Sequence, residues 1–162
     1  MGQSRIDGDL FVNGRISSTG LTAPASSITN SNIAAAAGID SSKLDHRFRK
    51  HYNQNSTASS ATVAIHIANA AGSVNGIKAG SVAACSGAAT ITINLLKNGA
   101  SILTGVIQLD NGNTARVSES GAFASTTYAS GDFFELVIVA TAGGGTLGTG
   151  LLVDVEFDEE AA

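Results

Sequence analysis

The chain has 162 residues, a formal net charge of −4, 14% charged residues, 19 glycines, one proline and no tryptophan. An average soluble domain carries roughly 25% charged residues, so this composition suits close packing and interfaces better than a surface facing water on every side. The length fits one compact domain with some chain to spare.

Several classes are excluded at this level. The longest apolar run, Phe133 to Ala142, is about ten residues long and falls short of the ~20 needed to cross a bilayer, so no membrane partner is expected. Met1 to Asn13 carries Asp7 and Asp9 and has no apolar core, which argues against a secretory signal. The lone Cys85 cannot make an internal disulfide and reads as a small buried hydrophobe in a strand. Residues 1–52 hold six Lys/Arg against four Asp/Glu, and residues 53–162 hold three against nine. That basic excess is too small for the domain-wide footprint of a nucleic-acid binder.

In chain order, residues 1–25 read as an extended arm. Arg5 to Val12, the turn Asn13-Gly14 and Arg15-Ile-Ser make a hairpin signal, but Leu10, Val12 and Ile16 are too few to bury a core. Such a ribbon needs a partner surface. Residues 26–55 read as a short-helix linker: Ser26 to Ala37 offers caps and an alanine-rich stretch closed by Gly38, followed by a second turn from Asp40. The linker ends in the basic strip Lys43-Leu-Asp-His-Arg-Phe-Arg-Lys-His-Tyr52. Arg47, Arg49 and Lys50 flank Phe48 close to Tyr52, so the strip is expected to dock on an acidic partner, with its aromatics as anchors. Leu10, Val12 and Arg15 are the matching docking candidates in the arm.

Residues 56–162 change to a period of two. Val63, Ile65 and Ile67 share one strand face, which sets His66 on the opposite, outward face. Ile91, Ile93 and Leu95 repeat the pattern. Asn98-Gly99 then turns the chain into Ala100 to Leu109 as a hairpin. Phe133 to Ala140 and Leu151 to Phe157 follow, the latter placing Val153, Val155 and Phe157 opposite Asp154, Glu156 and Asp158. With strands near 73–84 and 114–124, about seven or eight are expected. The fold class is therefore mainly β, a single β-sandwich of jelly-roll or Greek-key type with an N-terminal arm and a short helical linker.

Chemistry is sought and not found. His46 and His51 are five apart, the wrong spacing for a shared helix face, so no metal site is expected. Gly143-x-x-x-x-Gly148 has phosphate-loop glycine spacing, but Thr149 stands where lysine is needed and the segment joins two strands, so a flexible hairpin loop is the better reading. No Gly-x-Ser-x-Gly elbow occurs. The acids from Asp154 to Glu160 read as a solvent face and tail. No catalytic residue, cofactor or small-molecule substrate is assigned, and the chain is read as a non-enzyme.

Two segments carry a resemblance. Ser27 to Leu44, with Ile28, Ile33, Ala37, Ile39 and Ser42-Lys-Leu44, resembles an "Ile-x-x-x-x-Ile-x-x-x-Ala-x-Ile-x-x-Ser-Lys-Leu" segment of tailed-phage virion surface proteins. Gly8-Asp-Leu-Phe-Val-Asn-Gly14, Ile93-Asn-Leu-Leu-Lys-Asn-Gly99 and Leu109 to Arg116 are similar to repeats and to the β-sandwich of the same family. The resemblance implies a capsid decoration (cement) protein on the outer capsid surface of the virion, commonly a homotrimer, with the major capsid protein as partner. A tail fibre or spike domain binding a host glycan, with Tyr128 or Phe123 stacking on the sugar, is the alternative.

Overall fold

The structure, a computed structural model, describes residues 46–159. The arm hairpin, the helical stretches of the linker and the docking candidates Leu10, Val12 and Arg15 lie outside the described residues. The body is built from ten strands: β1 His46–Thr57, β2 Ala61–Ile67, β3 Gly72–Ala83, β4 Thr90–Lys97, β5 Ala100–Ser101, β6 Ile107–Leu109, β7 Glu119–Ser120, β8 Thr127–Tyr128, β9 Phe133–Thr141 and β10 Thr149–Glu159. They form two antiparallel sheets. The first runs β1-β10-β3-β7, with β8 also on β3; the second runs β2-β9-β4-β5, with β6 also on β4.

The two sheets pack as a β-sandwich because period-two alternation gives each an apolar inner face. Ile91, Ile93 and Leu95 of β4, Phe134, Leu136 and Ile138 of β9, and Val153, Val155 and Phe157 of β10 are fully buried in one cluster. Asn98 and Gly99 close the β4–β5 turn with φ of 51° and 81°, the left-handed pair that a tight hairpin demands. The returning chain stays beside β4 over Ala100–Ser101 and again over Ile107–Leu109, so the expected continuous partner strand is split. The split falls where Leu103 pairs with Phe123 instead. In the expected strand near 114–124, only Glu119–Ser120 pairs in a sheet.

Three local expectations are corrected. The body begins at least at His46, ten residues before the expected boundary at 56, because β1 pairs with β10 from His46↔Glu159 to Thr57↔Thr149. The Gly-rich segment between β9 and β10 connects the two sheets and is no hairpin loop. It folds back on the β3–β4 turn, where Ser86 bridges Thr146, and a side chain at Gly145 would collide with the Ser86 carbonyl. Cys85 is buried as expected, but it lies just past β3, where its Sγ accepts a hydrogen bond from the Gly148 amide at 3.3 Å.

Candidate interaction surface

The outward side chains of the first sheet form a charged ladder. The β1–β10 register sets Arg47 opposite Asp158, Arg49 opposite Glu156 and His51 opposite Asp154. Arg49 donates from Nε and Nη2 to Glu156 Oε2 at 2.9 and 2.7 Å and approaches Asp154 at 3.7 Å. Arg47 lies 3.6 Å from Glu156 and 3.7 Å from Asp158. The hydrogen bond that Arg49 donates to Glu156, reinforced by the charges of Glu156 and Asp154, raises the Arg49 pKa above its ordinary value. The basic strip and the acidic C-terminal stretch are thus two halves of one cross-strand ladder.

Phe48 and Tyr52, the expected partner anchors, point the other way and pack against the core. Phe48 stacks on Phe157 with ring centroids 5.5 Å apart and meets the His66 ring edge-on at 5.1 Å. Lys50 sits over the Phe48 ring, 5.6 Å from its centroid. The strip therefore anchors itself on its own sandwich: Arg47 and Arg49 on β10, Phe48 and Tyr52 on the core.

His66 departs from the expected outward orientation. A register shift between Ala64 and His66, where β2 meets β9, inserts a β-bulge. Beyond it the alternation is reversed, so His66 turns inward with a side chain only 7% exposed, and Ile67 turns outward at 57%. Burial among Phe48, Phe134 and Phe157 lowers the His66 pKa, opposed by Glu159 and assisted by Lys50. Tyr128 is also interior. Its hydroxyl donates to the Asp158 carbonyl at 3.1 Å, and burial, with Glu159 and Asp158 nearby, pushes its pKa up to about 12. Phe123 is half-buried against the core. Of the two aromatics of the glycan alternative, Tyr128 is covered by the core and Phe123 keeps part of its ring at the surface.

Next to the ladder the same outer face hollows into a trough that sequence reasoning did not find. Its main concavity, about 390 Å³, is lined by Lys78, Arg116 and Asp154 around the half-exposed Val82, Val117 and Leu152. Gly80 and Gly150 leave its floor open. Gly150 has φ +65°, and a Cβ there would fall 2.7 Å from Val82 Cγ2. Two smaller hollows share Asp154 and Lys78 on one side, and Val82, Gly150 and Leu152 on the other, so the trough is continuous. Sequence signals existed in the outward glycines of β3 and in Leu152, which breaks the acidic alternation of β10. The trough mixes apolar and charged groups. Among the described residues, no group of three or more His, Cys, Asp or Glu is placed to hold a metal ion.

No protein-family model matches this chain, and no curated protein matches it.

Proposed function

We propose that this chain is a structural protein of a tailed-phage virion, a capsid decoration (cement) protein that binds the outer surface of the head and stabilises it by clamping neighbouring major capsid proteins. Its β-sandwich body is read as a jelly roll that assembles as a homotrimer. Support for the jelly roll is the strand order, β1-β10-β3-β7/β8 against β2-β9-β4-β5/β6, with the long strands β1 to β4 alternating between layers.

The observation that carries the reading is the outer face of the first sheet. A trough with half-exposed Val82, Val117 and Leu152 lies beside an ion ladder already satisfied within the chain. Apolar groups ringed by polar ones are the composition of a protein contact. The docking role is accordingly assigned to the trough, with Arg49 at its rim, Arg47 in the ladder beside it, and Phe48 and Tyr52 as the packing that holds β1 in place. Residues 1–45, which include Leu10, Val12 and Arg15, supply the clamp in this reading.

Imaging of intact particles with and without the protein tests the assignment: density is expected on the faces of the head. Density on the tail, or none on the particle, overturns it.

A further inference from the structure

The outer face of the second sheet contrasts with that of the first. Its cross-strand rows run Thr62–Val137–Asn94, Ala64–Glu135–Leu96 and Ile67–Phe133, with Val139 beside Thr92 and Thr92 beside Gln108. Glu135 is the sole charged residue among these positions. Ile67 and Val139 are 57% and 47% exposed, and Leu96, Phe133 and Val137 around them are partly buried. The first sheet's outer face, by comparison, carries Arg47, Arg49, Lys78, Asp154, Glu156 and Asp158.

The border of this face is uncharged as well. Among the described residues, β2, Ala61-Thr-Val-Ala-Ile-His-Ile67, pairs only with β9, and no described strand pairs with its other edge. It has no lysine or proline of the kind that guards an edge strand against pairing, and its His66 is turned inward.

From this we infer that copies of the chain associate through the outer face of the second sheet together with the bordering β2 edge. The inference rests on the self-association in the reading above and names the surface responsible for it. A charged partner would bury its charges against a face with little to pair them, which is costly. The uncharged β2 edge of a second copy brings no charge of its own to that face, where Glu135 is the one charge to be accommodated. Because each copy carries both the face and the edge, the contact is head-to-tail and can close into a ring. The three long strands of the face, β2, β9 and β4, of seven, nine and eight residues and about 4.8 Å apart, give on the order of 400 Å² per copy. The β2 edge and the short strands β5 and β6 add to this, and the total lies in the range of a small interface, below the ~800 Å² per partner of the standard size.

Sedimentation of the full chain at micromolar concentration tests the inference with Ile67→Lys, Val139→Glu and the control Leu152→Lys on the opposite sheet. Wild type and Leu152→Lys are expected to sediment as the oligomer, and the two second-sheet variants as single chains with melting temperatures near that of the control. Should Val139→Glu not fold, Thr92→Arg on the neighbouring strand replaces it. A single-chain wild type, second-sheet variants that keep the oligomer, or a control that dissociates equally overturns the inference. Particle binding is followed separately: a wild type that decorates the head but sediments as a single chain sinks this inference alone, whereas an oligomer that fails to bind particles sinks the head-surface reading alone.

Discussion

Nε2 of His66 lies 3.8 Å from Oε2 of Glu159, yet it has no hydrogen-bond partner. The other Glu159 oxygen accepts from the Asn69 and Ala70 amides, the latter at 2.9 Å. The carboxylate is thus held mainly by backbone N–H groups, and the imidazole sits beside it in an aromatic pocket.

This arrangement makes stability sensitive to acid. Burial lowers the His66 pKa in the folded state, so the folded protein favours the neutral ring. That contribution is fully present above the 6.5 of an ordinary histidine and is lost as the pH falls through and below it. Glu159 partly opposes the effect and Lys50 adds to it. The melting temperature is expected to fall over this range in wild type and to fall less in His66→Phe, whose ring suits the same aromatic cluster. Equal pH dependence in the two proteins would assign the loss to other groups.

Phe48→Ala tests whether β1 is part of the body. The ring stacks on Phe157 and touches His66, so its removal leaves a cavity at the edge of the core. Denaturant unfolding should show a loss of about 2–3 kcal/mol, at or below the lower end of large-to-small changes because the residue is only partly buried. An unchanged midpoint would mean that β1 contributes no packing.

The ladder behaves differently. Arg47 and Arg49 are well exposed, and exposed pairs are weak and screened by salt. Replacing both with Ala should lower the melting temperature slightly at low salt and not at high salt. Their binding to particles should stay close to wild type, since these arginines face acids of their own sheet. A large, salt-dependent loss of particle binding would return the docking role to the strip.

The trough is expected to carry that role. Leu152→Asp and Val82→Asp each place a carboxylate among the apolar side chains of the concavity, and both sites are half-exposed, so folding should survive. Particle binding is expected to drop at least tenfold, the factor equivalent to 1.4 kcal/mol. Unchanged binding by both variants would remove the trough from the interface.

Tyr128 provides a spectroscopic check on the interior. With the two tyrosines of the chain, an ultraviolet titration should resolve a phenol ionising at about 12. Tyr128→Phe should erase that step and cost ~1 kcal/mol for the hydrogen bond to the Asp158 carbonyl. A titration in which Tyr128 ionises at the ordinary 10.0 would contradict the buried placement.

What the sequence by itself determined is local. Alternation in Ile91–Leu95 and Val153–Phe157 names the inner faces, because successive side chains on a strand point to opposite sides. Asn98-Gly99 names its turn because both residues tolerate positive φ. Only the tertiary structure decided the rest. Arg49 and Glu156 stand 107 positions apart, and each alternating charged run reads alone as a solvated face or a docking strip. Opposite signs at the same period of two were the available clue, but pairing β1 with β10 is a long-range choice that no local pattern dictates. Likewise, strict alternation places His66 outside. The bulge opposite β9 adds one residue to one strand and reverses everything beyond it, so the buried imidazole and the exposed Ile67 follow from how two strands meet.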